Sequence, residues 1–273
     1  MKLKIVLFLL MAITLASCKK ESIEPKEKIN FFLFPRQTHF VWADNIRGEM
    51  IKANDVSAVY RSPLKGNSNV RYGEYILGIT TCNVDVDEIT IPNYQQAFLS
   101  EGFNPLSNSP YMALSKSPTP MTDAADPTIE NKIKQYLTTT YTGSDVVSFL
   151  PKAILEQVDY RTTSLKNIKI TCSQDLFGVK AGEVLNEYFI VEGYPKYHDF
   201  IISSNKQLVS GKTTDISLSQ YLSYQPMAPA GMYMRFKKGV SIPASVTAEF
   251  TVQLELEGNK TISATTKPIC LIP

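Results

Sequence analysis

The sequence predicts a mainly β protein, with an immunoglobulin-like β-sandwich in its C-terminal half and an α+β N-terminal portion containing one short helix. Three observations carry this. From Val246 to Glu257, Val246, Ala248, Phe250, Val252, Leu254 and Leu256 alternate with polar residues, the two-residue period of a half-buried strand. Apolar runs of strand length recur along the chain with glycine, proline, asparagine and serine between them. Only one stretch joins a helix-start signal to a helical apolar face. It opens at Asp126-Pro127, an N-cap followed by proline at the first helical position, and places Ile129, Ile133, Tyr136 and Leu137 on one side.

Taken in order, Ile29 to Phe34 is an apolar run of strand length, closed by Pro35. Trp42, the single tryptophan, reads as a core residue. Turn formers dominate residues 61–73, and Glu74 to Cys82 reads as a strand. Alternation continues over Val84 to Ile91. Prolines 105, 110, 118 and 120 make the next stretch a loop. The helix from Pro127 ends near Thr139, where Thr138-Thr139-Thr140 is a poor continuation. Residues 144–163 suit helix and strand equally. Further strands are expected at Ile168–Cys172, Phe200–Ile202, Met232–Phe236 and Cys270–Ile272, with short helical turns near Gly182–Tyr188 and Ser217–Tyr224. Gly258-Asn259 is a two-residue hairpin turn, returned by Lys260 to Thr265.

The N-terminus sets the location. Met1-Lys2-Leu3-Lys4 is basic, Ile5 to Leu15 is uncharged and mostly apolar, and Leu15-Ala16-Ser17-Cys18 ends on a cysteine. This is the order of an export signal, and the apolar run is shorter than the roughly 20 residues that span a bilayer. Leu15 to Cys18 resembles the lipobox of bacterial lipoproteins. The resemblance implies cleavage before Cys18 and acylation of its thiol, a membrane anchor. Residues 18–28 are polar and charged and read as a tether, because they have too little apolar surface to fold. The expected organisation is a signal peptide (1–17), a lipidated tether (18–28), a β-rich portion with the proline-rich loop and helix (29–163) and a β-sandwich (164–273).

Charge and motifs narrow the function. The chain has 28 Lys and Arg against 26 Asp and Glu, and Lys2 and Lys4 leave with the leader. The balance argues against a nucleic-acid partner. Ser210-Gly211-Lys212-Thr213 lacks the earlier glycine of a phosphate loop, since that position is Lys206. Asn83, Asp85 and Asp87 start like a calcium loop, but Glu88 and Tyr94 stand where glycine and glutamate are needed. No nucleophile elbow, zinc spacing or cofactor motif is present, so no catalytic residue, metal or cofactor is assigned. Cys82, Cys172 and Cys270 leave two readings open, a Cys172–Cys270 disulfide or three buried thiols. The remaining candidates are aromatic. Tyr188, Tyr194, Tyr197, Tyr221 and Tyr224 cluster in sequence, and exposed tyrosines present a flat apolar face with a polar tip to a sugar ring or a partner protein.

Lipobox, tether and β-rich body together, with Ile168-Lys169-Ile170-Thr171 and Ala181 to Asn186, resemble Bacteroidetes-type cell-envelope lipoproteins of unknown-function families. The resemblance implies a lipid-anchored outer-membrane location, facing the periplasm or the cell surface. The expected function is a non-enzymatic binding module for a glycan or an envelope protein. A structural or assembly accessory of an outer-membrane complex ranks second, and an envelope hydrolase third.

Overall fold

The computed structural model describes residues 30–53, 56–83, 123–141, 155–195 and 198–273. Cys18, the 18–28 tether, the strand expected at Val84–Ile91, most of the proline-rich loop and Tyr197 lie outside them. The protein is mainly β. The first half supplies β1 (Asn30–Arg36), β2 (Phe40–Ala53), β3 (Val56–Pro63), β4 (Asn69–Arg71), β5 (Tyr75–Cys82), helix α1 (Pro127–Tyr141) and β6 (Leu155–Arg161). The second supplies β7 (Leu165–Cys172), β8 (Phe189–Gly193), β9 (Phe200–Ile202), β10 (Leu208–Ser210), β11 (Ile216–Ser217) and helix α2 (Leu218–Ser223). It closes with β12 (Gly231–Phe236), β13 (Val246–Ala248), β14 (Phe250–Leu256), β15 (Thr261–Thr265) and β16 (Ile269–Ile272). No helix among the described residues is long and apolar enough to cross a membrane.

Two sheets share the main core. One is antiparallel, in the order β15-β14-β7. Its apolar side presents Ile168, Ile170, Phe250, Val252 and Leu254. The other runs β11-β8-β12-β5-β2-β3 and presents Tyr75, Leu77, Ile79, Val191, Met232 and Met234. All of these side chains are at most 1% exposed, and burying each aliphatic one contributes about 1.5–3 kcal/mol. Tyr75 lies between Phe236 and Phe250, with ring centroids 5.4 and 5.2 Å away. Its hydroxyl donates to Asn45 Oδ1 (2.9 Å), and Asn45 Nδ2 donates to the Lys267 carbonyl (2.6 Å). The buried polar ends of Tyr75 and Asn45 are therefore partnered, as a dry core requires. Because β12 pairs with β5 and β16 with β4, segments before and after residue 164 share sheets and core.

A second, smaller core lies under α1. Asp126 caps it: Oδ1 accepts from the Thr128 and Ile129 amides at 3.0 and 3.3 Å. Ile129, Ile133 and Leu137 pack on Val158, Tyr160, Phe200 and Met227. The helix runs two residues past the expected end, to Tyr141. The Thr139 hydroxyl donates to the Gln135 carbonyl (2.8 Å), and the Tyr141 ring meets Phe31 at 6.4 Å. Packing overrides the poor propensity of the threonines. Of the ambiguous stretch, residues 144–154 lie outside the described residues, and Leu155–Arg161 is strand, parallel to β1 with Arg36 opposite Arg161.

The long alternating run from Val246 to Glu257 is two strands rather than one. β13 pairs with β16, and β14 pairs with β7 and β15. The switch falls at Glu249, whose amide donates to Ser173 Oγ and whose carbonyl accepts from the Ser173 amide, both at 2.9 Å. Side-chain alternation continues through the switch, so periodicity carries no sign of it. Gly258 and Asn259 turn the chain at positive φ, 68° and 59°, but the loop has three residues rather than two: Glu255 pairs with Thr261 and the Leu256 amide donates to the Lys260 carbonyl (2.8 Å), so Glu257 joins the turn.

Candidate functional site

Strands alternate their side chains between faces, so the six-stranded sheet has an outer face as well as a core face. On it lie Ile46 and Gly48 of β2, Arg61 of β3, Ile76 and Gly78 of β5, Tyr233 and Arg235 of β12, and Glu192 of β8. Much of this face is the floor of a groove of about 910 Å³, walled by the 3-10 turn at Tyr72–Glu74 and by Lys237 to Val240. Two glycines keep this face flat, Gly48 in the groove floor and Gly78 beyond it. A Cβ on Gly78 would come 2.7 Å from Ile46 Cδ1, and one on Gly48 would strike Ile76 Cδ1. Each isoleucine thus lies across the bare backbone of the neighbouring strand.

Glu192 sits where the β8–β12 register shifts, between Tyr233 and Met234. Its side chain is only 9% exposed. Arg61 covers it, with Nη2 3.5 Å from Glu192 Oε1 and the guanidinium 4.6 Å above the Tyr233 ring. Gly193 leaves room for this: a Cβ there would stand 3.0 Å from Arg61 Nη2. Among the described residues, Arg61 Nε and Glu192 Oε2 have no hydrogen-bond partner. Burial pushes the Glu192 carboxyl above its usual range, against the opposing pull of Arg61 and Arg235. Burial also raises the Tyr233 hydroxyl, with Arg61 pulling the other way. Arg235 makes the second pair, 2.7 Å from Asp215 Oδ1. Arg61 and Glu192 line the groove with an unused donor and an unused acceptor buried between them, and its described lining contains no serine, cysteine or histidine.

The tyrosines singled out from sequence occupy a different place. Tyr221 is 2% exposed in the main core, turned inward by α2 together with Leu218, and offers no stacking surface. Tyr188, Tyr194 and Tyr224 are half-buried or pack against that core. Tyr188 stacks on Phe177 at 5.1 Å, and the Tyr194 hydroxyl donates to the Thr213 carbonyl (2.9 Å). Burial removes Tyr221 from the expected surface patch, and Tyr188, Tyr194 and Tyr224 give part of their aromatic area to packing. Tyr194 and Tyr221 also line a small cavity of about 40 Å³ with Arg161 and His198. Enclosure pulls the His198 imidazole down to about 3, with the Arg161 charge adding to the effect.

The Cys172–Cys270 disulfide does not form. Cys82, Cys172 and Cys270 are free, and the first two are buried. Cys172 belongs to the β15-β14-β7 sheet and Cys270 to the separate β13-β16-β4 sheet. Burial raises the Cys172 thiol. Among the described residues no group of three or more His, Cys, Asp or Glu side chains is placed to hold a metal ion.

Sequence reasoning missed Arg61, Glu192 and Arg235. The one available signal was a lone charge in the apolar strand Ile190-Val191-Glu192-Gly193. It also missed the buried ionic cluster of Arg36, Asp159 and Arg161. No protein family matches the chain, and no curated protein or solved structure matches it.

Proposed function

We propose that the chain is a lipoprotein of the cell envelope, anchored in the outer membrane through Cys18, whose β-rich body is a non-enzymatic binding module for a glycan or an envelope protein. The lipobox-like Leu15-Ala16-Ser17-Cys18 supports the anchor, and the charged 18–28 tether supports display of the body away from the bilayer. The observation that carries the binding reading is the groove on the outer face of the six-stranded sheet. Its size lies within the range of ligand sites, and it combines an apolar floor with a few fixed polar groups. We carry the immunoglobulin-like sandwich in the same reading. It is supported by β7 and β14 facing β8 and β12 across one core, with β5, β2 and β3 added to one sheet. The Bacteroidetes-type kinship is part of this proposal and rests on the sequence features alone.

A second reading, an assembly accessory, draws on β3. It ends the six-stranded sheet as described, and Tyr60 there and Met50 beside it are 58% and 62% exposed. An edge strand with apolar side chains is a template for pairing with another chain.

The test combines labelling and capture on the full-length protein in cells. Wild type incorporates labelled palmitate and partitions with membranes, whereas Cys18→Ala does neither. The detergent-solubilised lipoprotein is then screened against glycans and against cross-linked envelope proteins. A soluble wild-type protein without palmitate would remove the anchor, and silence in both screens would remove the binding module.

A further inference from the structure

The groove is balanced in charge. Four acidic residues line it, Glu49, Glu74, Glu192 and Asp215, against four basic ones that include Arg61 and Arg235. The central pair is incomplete in a specific way. Glu192 Oε2 lacks a donor and Arg61 Nε lacks an acceptor among the described residues, although the two side chains are already 3.5 Å apart. Leaving such groups unsatisfied is costly, so a ligand that supplies both a donor and an acceptor is favoured there. A hydroxyl does both, and two adjacent hydroxyls serve a carboxylate and a guanidinium together. An anionic ligand would set its charge against Glu192, and a cationic one against Arg61. Beside the pair, Ile76 and Val59 give an apolar floor for C–H faces. The groove crosses β3, β2, β5, β12 and β8. Its volume of about 910 Å³ lies at the upper end of ligand sites, room for more than one sugar ring.

We infer that this groove takes an electrically neutral, hydroxyl-rich chain, a neutral oligosaccharide, with Glu192 and Arg61 receiving its hydroxyls. The inference rests on the binding-module reading and names the ligand class and the contact residues. Glu192 Oε2 and Arg61 Nε are themselves buried in the free protein. The ligand therefore reaches them by tilting the Arg61 side chain, which is 27% exposed, off the Tyr233 ring.

The experiment is calorimetric titration of the detergent-solubilised full lipoprotein. The probes are neutral heptamers of α-glucan, β-glucan, xylan and mannan, an acidic oligogalacturonate, and a cationic chitosan oligomer. At least one neutral heptamer is expected to bind. Glu192→Gln and Arg61→Met, checked for unchanged circular dichroism, should each weaken it tenfold or more. Glu192→Asp, which keeps the charge and shortens the reach, should fall between. Lys180→Ala, remote from the groove and paired only to exposed Asp175 at 2.7 Å, should leave affinity unchanged. Neutral binding that both groove variants leave intact overturns the site. Binding confined to the acidic or cationic probe overturns the ligand class while the binding-module reading stands. No binding to any probe overturns the inference, and the protein-capture screen then decides the broader reading on its own.

Discussion

Arg36 Nε donates to Asp159 Oδ1 over 2.6 Å, with the two side chains 0% and 3% exposed. Arg161 Nη1 stands 3.8 Å from the same oxygen. Arg161 also donates from Nε to Thr81 Oγ1 (2.9 Å) and from Nη2 to the Thr81 carbonyl. The parallel pair of β1 and β6 is thereby tied to β5, and the small core under α1 to the main one. Removing the carboxylate charge leaves two guanidiniums facing a neutral amide. Breaking a buried ion pair from one side costs about 3–5 kcal/mol. Asp159→Asn should lower stability by that amount in urea unfolding, and Arg36→Met in the same chain should restore part of it. A loss below about 1 kcal/mol would show that the cluster contributes little beyond packing.

Asp126 secures the start of α1 twice over. Besides accepting the two first-turn amides, it holds Lys206 Nζ at 2.8 Å from Oδ2. The Lys206 hydrogen bond is the largest influence keeping this carboxyl below its usual value. Asp126→Ala should cost about 1 kcal/mol, the usual worth of an N-cap. Asp126→Asn, which keeps the cap oxygen and loses the charge, should cost less. Thermal melts of the three proteins at neutral pH give the order, and equal losses in both variants would assign the effect to the Lys206 pair.

His198 sets an acid limit. Its folded value of about 3 lies below the ordinary 6.5, so the unfolded chain binds a proton that the folded chain refuses. The associated stability is complete above pH 6.5 and is lost as the pH falls towards 3. Each unit below 6.5 removes about 1.4 kcal/mol, so about 2–3 kcal/mol is gone by pH 4.5. Replacing the imidazole with an aromatic that cannot charge, His198→Phe, should flatten this limb in urea titrations at pH 4.5 and 7. An imidazole resonance in wild type that titrates near 6.5 would contradict it.

The two kinds of agreement and failure have physical causes. Local chemistry was legible in the residues themselves: the Asp126-Pro127 start, the positive-φ turn at Gly258-Asn259, and the short helix near Ser217–Tyr224. These depend on neighbours within one turn of chain. Partner choice was not legible. The split at Glu249 depends on Ser173, 76 residues away. The groove depends on Arg61 reaching Glu192 across three intervening strands. The tyrosines were visible as a cluster, but composition does not separate a ring that fills a core from one that faces a ligand.

Glu192 joins stability to binding. Its raised folded value means the native chain holds this proton more tightly than the unfolded one. That stabilisation is complete below the unfolded value, near 4.5, and is lost as the pH rises through the folded value. At neutral pH the buried carboxylate is therefore a net liability, even with Arg61 and Arg235 nearby. Glu192→Gln keeps the shape and removes the charge, so it should melt slightly higher than wild type at pH 7. The difference should shrink as the pH falls, because the Glu192 carboxyl takes up its proton more readily in the folded chain than in the unfolded one. The same substitution is expected to weaken the groove's ligand tenfold or more. Stability gained where binding is lost is the mark of a residue kept for its function, since sites are built from groups the fold would not otherwise choose. Melting curves of the two proteins at pH 4.5, 5.5 and 7 read this directly. A variant that melts lower at pH 7 would make the Arg61–Glu192 pair a structural tie instead.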